Sequence, residues 1–129
     1  VAMGDRTFEN HAQTGLPIVA YSSEAGGFFA GKYDPEKPTP GTEPNPSIVR
    51  CFGIDENYAK LALVKKMAKE RGCSPNQLSL AYLTNQSFPV FPIAGPNCVE
   101  QMRDSCGAAD IELAPEDVAA LATAGTVRD

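Results

Sequence analysis

The sequence predicts an α/β fold with parallel strands, on three observations. Residues 16–22 (LPIVAYS) and 88–93 are short apolar runs rich in β-branched and aromatic side chains, as in strands covered on both faces of a parallel sheet. Each run stops at small or turn-forming residues, 22–27 and Gly95-Pro96, after which helical spacing resumes. The resulting order of strand, long loop, helix, helix, strand, helix, helix is that of consecutive βα units, which pair in parallel through right-handed crossovers. Two strands leave both edges of a sheet open, so these units are expected to find further strands in additional chain or in another copy.

Taken in order, residues 1–14 carry Phe8, His11 and Ala12 at helical offsets and stop at Gly15, the pattern of a helix tail and of the end of something larger. The first strand is expected over 17–22. Residues 34–47 (DPEKPTPGTEPNPS) hold five prolines and almost no apolar side chain, and are expected to form an irregular loop. From Asp55 the pattern is helical: Asp55 can cap, Glu56 sits in the first turn, and Tyr58, Leu61, Val64, Ala68 and Arg71 follow before Gly72, predicting a helix over 56–71. Ser74-Pro75 opens the next helix, over 75–85, in N-cap and N1 style, with Leu78, Ala81 and Tyr82 on one face. The second strand is expected over 89–93, a helix over 97–108 and a last one over 115–124, striped by Val118, Leu121 and Ala122.

Composition narrows the function classes. The 129 residues make one domain at most, and 43% apolar residues are enough for a core. Eleven basic against 16 acidic residues give a net charge of −5, with no Lys/Arg cluster to track a nucleic-acid backbone. No apolar run approaches the roughly 20 residues that span a bilayer, and the first residues lack the basic-then-apolar order of a signal peptide, so neither membrane nor nucleic acid is an expected partner and a cytoplasmic location is expected. Cys51, Cys73, Cys98 and Cys106 form no CxxC pair and His11 has no neighbouring cysteine, so no metal site is expected and the cysteines read as reduced, partly buried thiols.

The stretch 87–105 (SFPVFPIAGPNCVEQMRDS) carries the strongest chemical signal. A strand, a Gly-Pro break and then Val99, Met102 and Cys106 at helical spacing would direct the backbone N–H groups and positive dipole end of a helix starting near Asn97 out of the strand's carboxyl edge, where an anion such as phosphate can sit. Most strand–turn–helix units bind nothing, so a second feature must agree.

Four segments supply it: GLPIVAYSSEAGGFFAGKY, DENYAKLALVKKMAKERGCSPNQLSLAYLTNQ, FPVFPIAGPNCVEQMRDSCGAADIEL and APEDVAAL, in that order and spacing, resemble the aldo-keto reductases over nearly the whole chain. The match is to the C-terminal part of that family, which implies that the chain is a fragment of a (β/α)8 barrel: the last two βα units, the loop between them and the terminal helices. The resemblance implies an oxidoreductase that moves a hydride from NADPH or NADH to an aldehyde or ketone carbonyl at the carboxyl ends of the strands. By that resemblance Tyr21 takes the place of the aromatic that stacks on the nicotinamide, and Ser22, Ser23, Glu24, Ala25 and Gly26 line the pyrophosphate. Gly95, Pro96, Asn97 and Cys98 occupy the turn that holds the adenosine 2′-phosphate, Gln101 stands where an arginine often reaches over, and Asp104 and Ser105 stand where an acid-amide pair faces the adenine. The residue types suit these roles: an aromatic face for a planar ring, small residues and hydroxyls for phosphate oxygens, a helix start for a dianion.

The departures from the family pattern carry their own expectations. Glu24 stands where the family has a leucine or glutamine, Gly26 where arginine or another side chain is common, and Asn97 where arginine or lysine is frequent. A charge-assisted hydrogen bond is worth about 1.5–3 kcal/mol, so losing these cations is expected to weaken NADPH more than NADH. The family's catalytic tyrosine, lysine, aspartate and histidine belong to an earlier part of the barrel, and no segment here matches their motifs. Tyr33, Tyr58 and Tyr82 fall in a loop and on helices with Lys32, Lys60 and Lys65 as solvated neighbours, His11 reads as a surface or packing residue, and the acidic pairs 55–56 and 116–117 read as helix caps. The chain alone is therefore expected to be inactive. The competing expectation is a non-catalytic α/β module derived from that fold, whose open strand edges and proline-rich loop serve self-association or a protein partner.

Overall fold

A computed structural model describes residues 5–34 and 45–125. The elements are α1 (Asp5–Thr14), β1 (Ile18–Ala20), α2 (Pro46–Phe52), α3 (Asp55–Arg71), α4 (Pro75–Thr84), β2 (Val90–Pro92), α5 (Val99–Cys106) and α6 (Pro115–Thr123), with short 3-10 turns at Ala25–Gly27 and Gly107–Asp110. β1 and β2 pair in parallel, with Ile18 opposite Val90, Val19 opposite Phe91 and Ala20 opposite Pro92. Both strands lie inside their expected ranges but are shorter, since prolines at 89 and 92 remove ladder donors at either end of β2.

The sheet rests on α4. Ala20 and Val90 turn inward onto Leu83 and Phe88, whereas Val19, Tyr21, Phe91 and Ile93 alternate onto the other face and stay more than half exposed. A second, larger cluster joins α3, α4 and α6 through Val64, Met67, Ala68, Leu78, Ala81, Leu113 and Leu121. Here Asn85, just past α4, stitches the segment before α6 into place: its Nδ2 donates to the Ile111 carbonyl at 2.9 Å and its Oδ1 accepts the Leu113 N–H at 3.1 Å. The third cluster surrounds Phe28, fully buried in the loop after β1, whose ring meets Phe29 and Tyr58 at 5.2 Å and Phe52 at 6.3 Å.

The helix ends explain where sequence and structure agree and differ. α4 begins as expected, with a reciprocal capping box: Ser74 Oγ accepts the Gln77 N–H and Gln77 Oε1 accepts the Ser74 N–H, both at 3.0 Å. Asp55 does not cap α3; Ile54 is the N-cap without a side-chain bond, and Asp55 is already helical, where its charge favours the positive end. The segment 34–47 is a correction at its end, because Pro46 and Ser47 belong to α2; 35–44 lie outside the described residues. Asn45 Oδ1 accepts the Ser47 N–H at 2.9 Å and Pro46 sits at the helix start, where its missing donor costs nothing. α5 starts at Val99, not near Asn97, and gives way to the 3-10 turn at Gly107.

Two side-chain expectations are also corrected. Lys60 and Lys65 are not merely solvated: Lys60 Nζ pairs with Glu56 at 2.7 Å one helical turn away, and Lys65 Nζ pairs with Asp34. The cysteines are free, but Cys51, Cys98 and Cys106 are exposed and Cys73 alone is partly covered. Asp117 does close the start of α6, accepting the Ala114 N–H at 3.3 Å, and also binds Arg71 at 2.6 Å across to α3. His11 packs as expected, stacked at 4.3 Å on Phe88 with Nδ1 2.8 Å from the Leu16 carbonyl. Among the described residues, no helix is long and apolar enough to cross a membrane.

Candidate functional site

The loop leaving β1 and the turn leaving β2 converge on an open cleft of about 490 Å³ beyond the carboxyl ends of the two strands. The loop is tightly wound: Ser22, Ala25, Gly26 and Gly27 all have positive φ, at 53°, 49°, 63° and 88°. For Ser22 and Ala25 this left-handed conformation is unfavourable by roughly 1–2 kcal/mol each. Ser23, buried, anchors it by donating to the Ala20 carbonyl at 2.8 Å, and a Cβ on Gly26 would run into the Ile48 side chain of α2. Strained, over-determined backbone of this kind clusters at functional sites.

Glu24 crosses from this loop to the far wall. Its Oε2 accepts the Gly95 N–H at 3.2 Å and its Oε1 accepts the Ser105 hydroxyl at 3.4 Å. In the same turn the Asn97 N–H donates to Gln101 Oε1 at 2.8 Å. Glu100, in the first turn of α5, is held below the ordinary carboxylate range, first by its own backbone N–H and then by the Cys98 thiol. Behind Glu24, Asp104 Oδ2 accepts from Ser74 Oγ and Asn76 Nδ2, both at 2.9 Å, so the start of α4 fixes the acid on α5.

The structure thus gathers Glu24, Gly26, Gly95, Asn97, Gln101 and Asp104 around one cleft, with Ser105 buried behind them and bonded to Glu24. Tyr21, at the end of the first apolar run, is 77% exposed on the open face of the sheet. Ser22, Ser23 and Ala25 shape the loop without lining the cleft, and Pro96 and Cys98 lie in the turn outside the lining. Five lining residues, Gly27, Ala30, Lys32, Asn76 and Glu100, were not among the sequence candidates. Asn76 has one signal, its place in the first turn of the capped helix α4; its Oδ1 is buried without a hydrogen-bond partner. Lys32 has none, being one surface lysine among several.

A second, smaller cavity of about 150 Å³ is lined by Lys60 and Tyr82, the residue types of a proton-transfer pair. Their chemistry argues otherwise. Burial pushes the Tyr82 hydroxyl above its ordinary value, against a smaller opposing effect of Gln86, making it a weaker acid. The Lys60 ammonium is already committed to Glu56.

A family model described as the Aldo/keto reductase family matches residues 5–125. The chain belongs to this family. Among curated proteins it is similar to the aldo-keto reductase str7 of Strobilurus tenacellus, 31% identical over 119 residues that cover 88% of this chain and 34% of the relative. The chain therefore spans about a third of the length of that relative. The family is one of oxidoreductases built on a (β/α)8 barrel, with a nicotinamide dinucleotide as its general cofactor.

The cleft fits part of such a cofactor. Carboxylates with capacity to accept and small residues suit the hydroxyl groups of a nucleoside. Among the described residues, one lysine set against three acids is a poor match to a phosphate dianion.

Proposed function

We propose that this chain is the C-terminal, cofactor-binding part of an aldo-keto reductase that reduces aldehyde or ketone carbonyls with NAD(P)H, comprising the last two βα units of the barrel and the terminal helices. The observation that carries the proposal is the convergence of the β1 loop and the β2 turn on one cleft at the carboxyl ends of parallel strands, the position at which α/β barrels place their sites. Bound there, the dinucleotide would supply the hydride. The chain's part is to hold it: Glu24 and Asp104 accept from hydroxyls, and the wound loop at Ser22 to Gly27 keeps backbone close to the ligand. Tyr21, exposed beside the strand end, offers a ring face to the nicotinamide.

The proton donor for the carbonyl lies, in this proposal, outside the chain. The Lys60 and Tyr82 pair is the alternative within it, and the raised Tyr82 hydroxyl speaks against that use. Titration of the chain with NADH, followed by nicotinamide fluorescence, is expected to saturate. A signal that rises linearly without saturation to millimolar ligand would refute cofactor binding by this chain.

A second reading, a non-catalytic module that self-associates, is favoured by one observation: Leu16, Val19, Tyr21, Phe91 and Ile93 are all more than half exposed around the sheet. A barrel would cover this face with its own interior, a module with a second copy. Light scattering across a concentration series separates the two, a monomer at every concentration excluding the module.

A further inference from the structure

We propose that Glu24 is the residue that selects the cofactor at this cleft, accepting hydrogen bonds from a free ribose hydroxyl and rejecting a 2′-phosphate, so that the site takes NADH in preference to NADPH. The inference rests on the cofactor-binding reading above and goes beyond it in naming the selecting group.

The carboxylate is placed, by its own two bonds, on the backbone donor that an anion entering the turn would need. Its Oε2 holds the Gly95 N–H and its Oε1 the Ser105 hydroxyl, joining segments 71 and 81 residues apart in sequence. At 3.2 and 3.4 Å both bonds are longer than the 2.7–2.9 Å typical of charged partners, so each oxygen keeps the capacity to accept from a further donor. A ribose hydroxyl is such a donor. A phosphate has none to offer when ionised and would have to displace the carboxylate to reach the Gly95 N–H.

The surroundings reinforce this sign. Asp104 and Glu100 line the same cleft, and Lys32 is its single cation among the described residues. Asp104 is not free to move off: Ser74 and Asn76 hold its Oδ2 at 2.9 Å each. Asn76 Nδ2 is spent on Asp104 and Ser105, at 2.9 and 3.1 Å, so it is not free to meet a phosphate. An acid that receives a ribose hydroxyl selects the unphosphorylated nucleotide, and a cation near the same hydroxyl accommodates the phosphorylated one, a distinction known from dinucleotide sites on another α/β fold.

The test measures dissociation constants of NADH and NADPH, by calorimetry, for the full chain and for the variants Glu24→Gln and Glu24→Ala, with circular dichroism confirming that both variants fold. The native chain is expected to bind NADH about tenfold more tightly than NADPH, the size of one charged hydrogen bond replaced by a like-charge contact. Both variants should bring the ratio to near unity, chiefly by tightening NADPH. Equal affinities in the native chain, a preference for NADPH, or a ratio that neither variant moves would overturn the selection by Glu24 while leaving cofactor binding intact. Binding of neither nucleotide by the native chain or either variant would overturn the cofactor-binding reading and this inference together.

Discussion

The two ends of α4 sit in opposite kinds of surroundings. Toward α3 and α6 its Leu78 and Ala81 are wholly enclosed, and the segment after α5 is drawn in by the side chain of Asn85. Toward the sheet, α4 covers only one face, and Val19 and Phe91, paired in register, stand open on the other. The helical end is satisfied within this chain, whereas the sheet end has buried half of what parallel strands normally bury. The candidate cleft lies beside strands whose exposed row is suited to a barrel interior.

That contrast can be broken most severely in the helical cluster. Leu78→Ala removes a fully buried side chain and is expected to cost about 2–5 kcal/mol, read as a fall in the urea midpoint. A loss below about 1 kcal/mol would mean that the helical end is not the core.

Burial of Tyr82 sharpens the same contrast through pH. Its folded pKa lies above the unfolded value of 10.0, so the folded state binds the proton longer and stability falls as pH rises past 10. Tyr82→Phe should remove that part of the alkaline loss, seen as a shallower decline of the thermal midpoint between pH 9 and 11, on the order of one proton's linkage. An unchanged decline would show the hydroxyl to be solvated.

At the start of α4, Ser74→Ala deletes both the α4 cap and one bond to Asp104. It should cost about 1 kcal/mol in stability. It should also loosen the acid that walls the cleft, so that nucleotide affinity falls more than stability alone requires. Equal affinity in the variant would separate the cap from the site.

The smallest effect belongs to the open face. Phe91→Ser is expected to change stability by less than about 1 kcal/mol, because that ring is already 57% exposed, while lowering any self-association seen by light scattering.

How much of this was legible in the sequence follows the range of the forces involved. Local signals read well: Ser74-Pro75 with Gln77 three residues on is a capping box in sequence and in structure. The same kind of signal at Asn45-Pro46 was hidden by four neighbouring prolines, which made α2 look like loop, although proline is tolerated at a helix start for the reason that it breaks a helix interior. The cleft was legible in position, since the strand ends and the turn at Gly95 bracket it. Its electrostatics were legible only in part. Glu24 reaches Gly95 and Ser105 across the fold, and Asn76 meets Asp104 from another helix, pairings that no periodicity encodes.

The most direct test of the account is to give the chain, at a concentration where it has bound NADH, an excess of a reactive aldehyde, and to follow nicotinamide absorbance. The account predicts saturable binding and no consumption of NADH above the rate without protein, because the cleft holds the cofactor and the proton donor lies outside this chain. Consumption proportional to chain concentration, abolished by Tyr82→Phe or not, would contradict it.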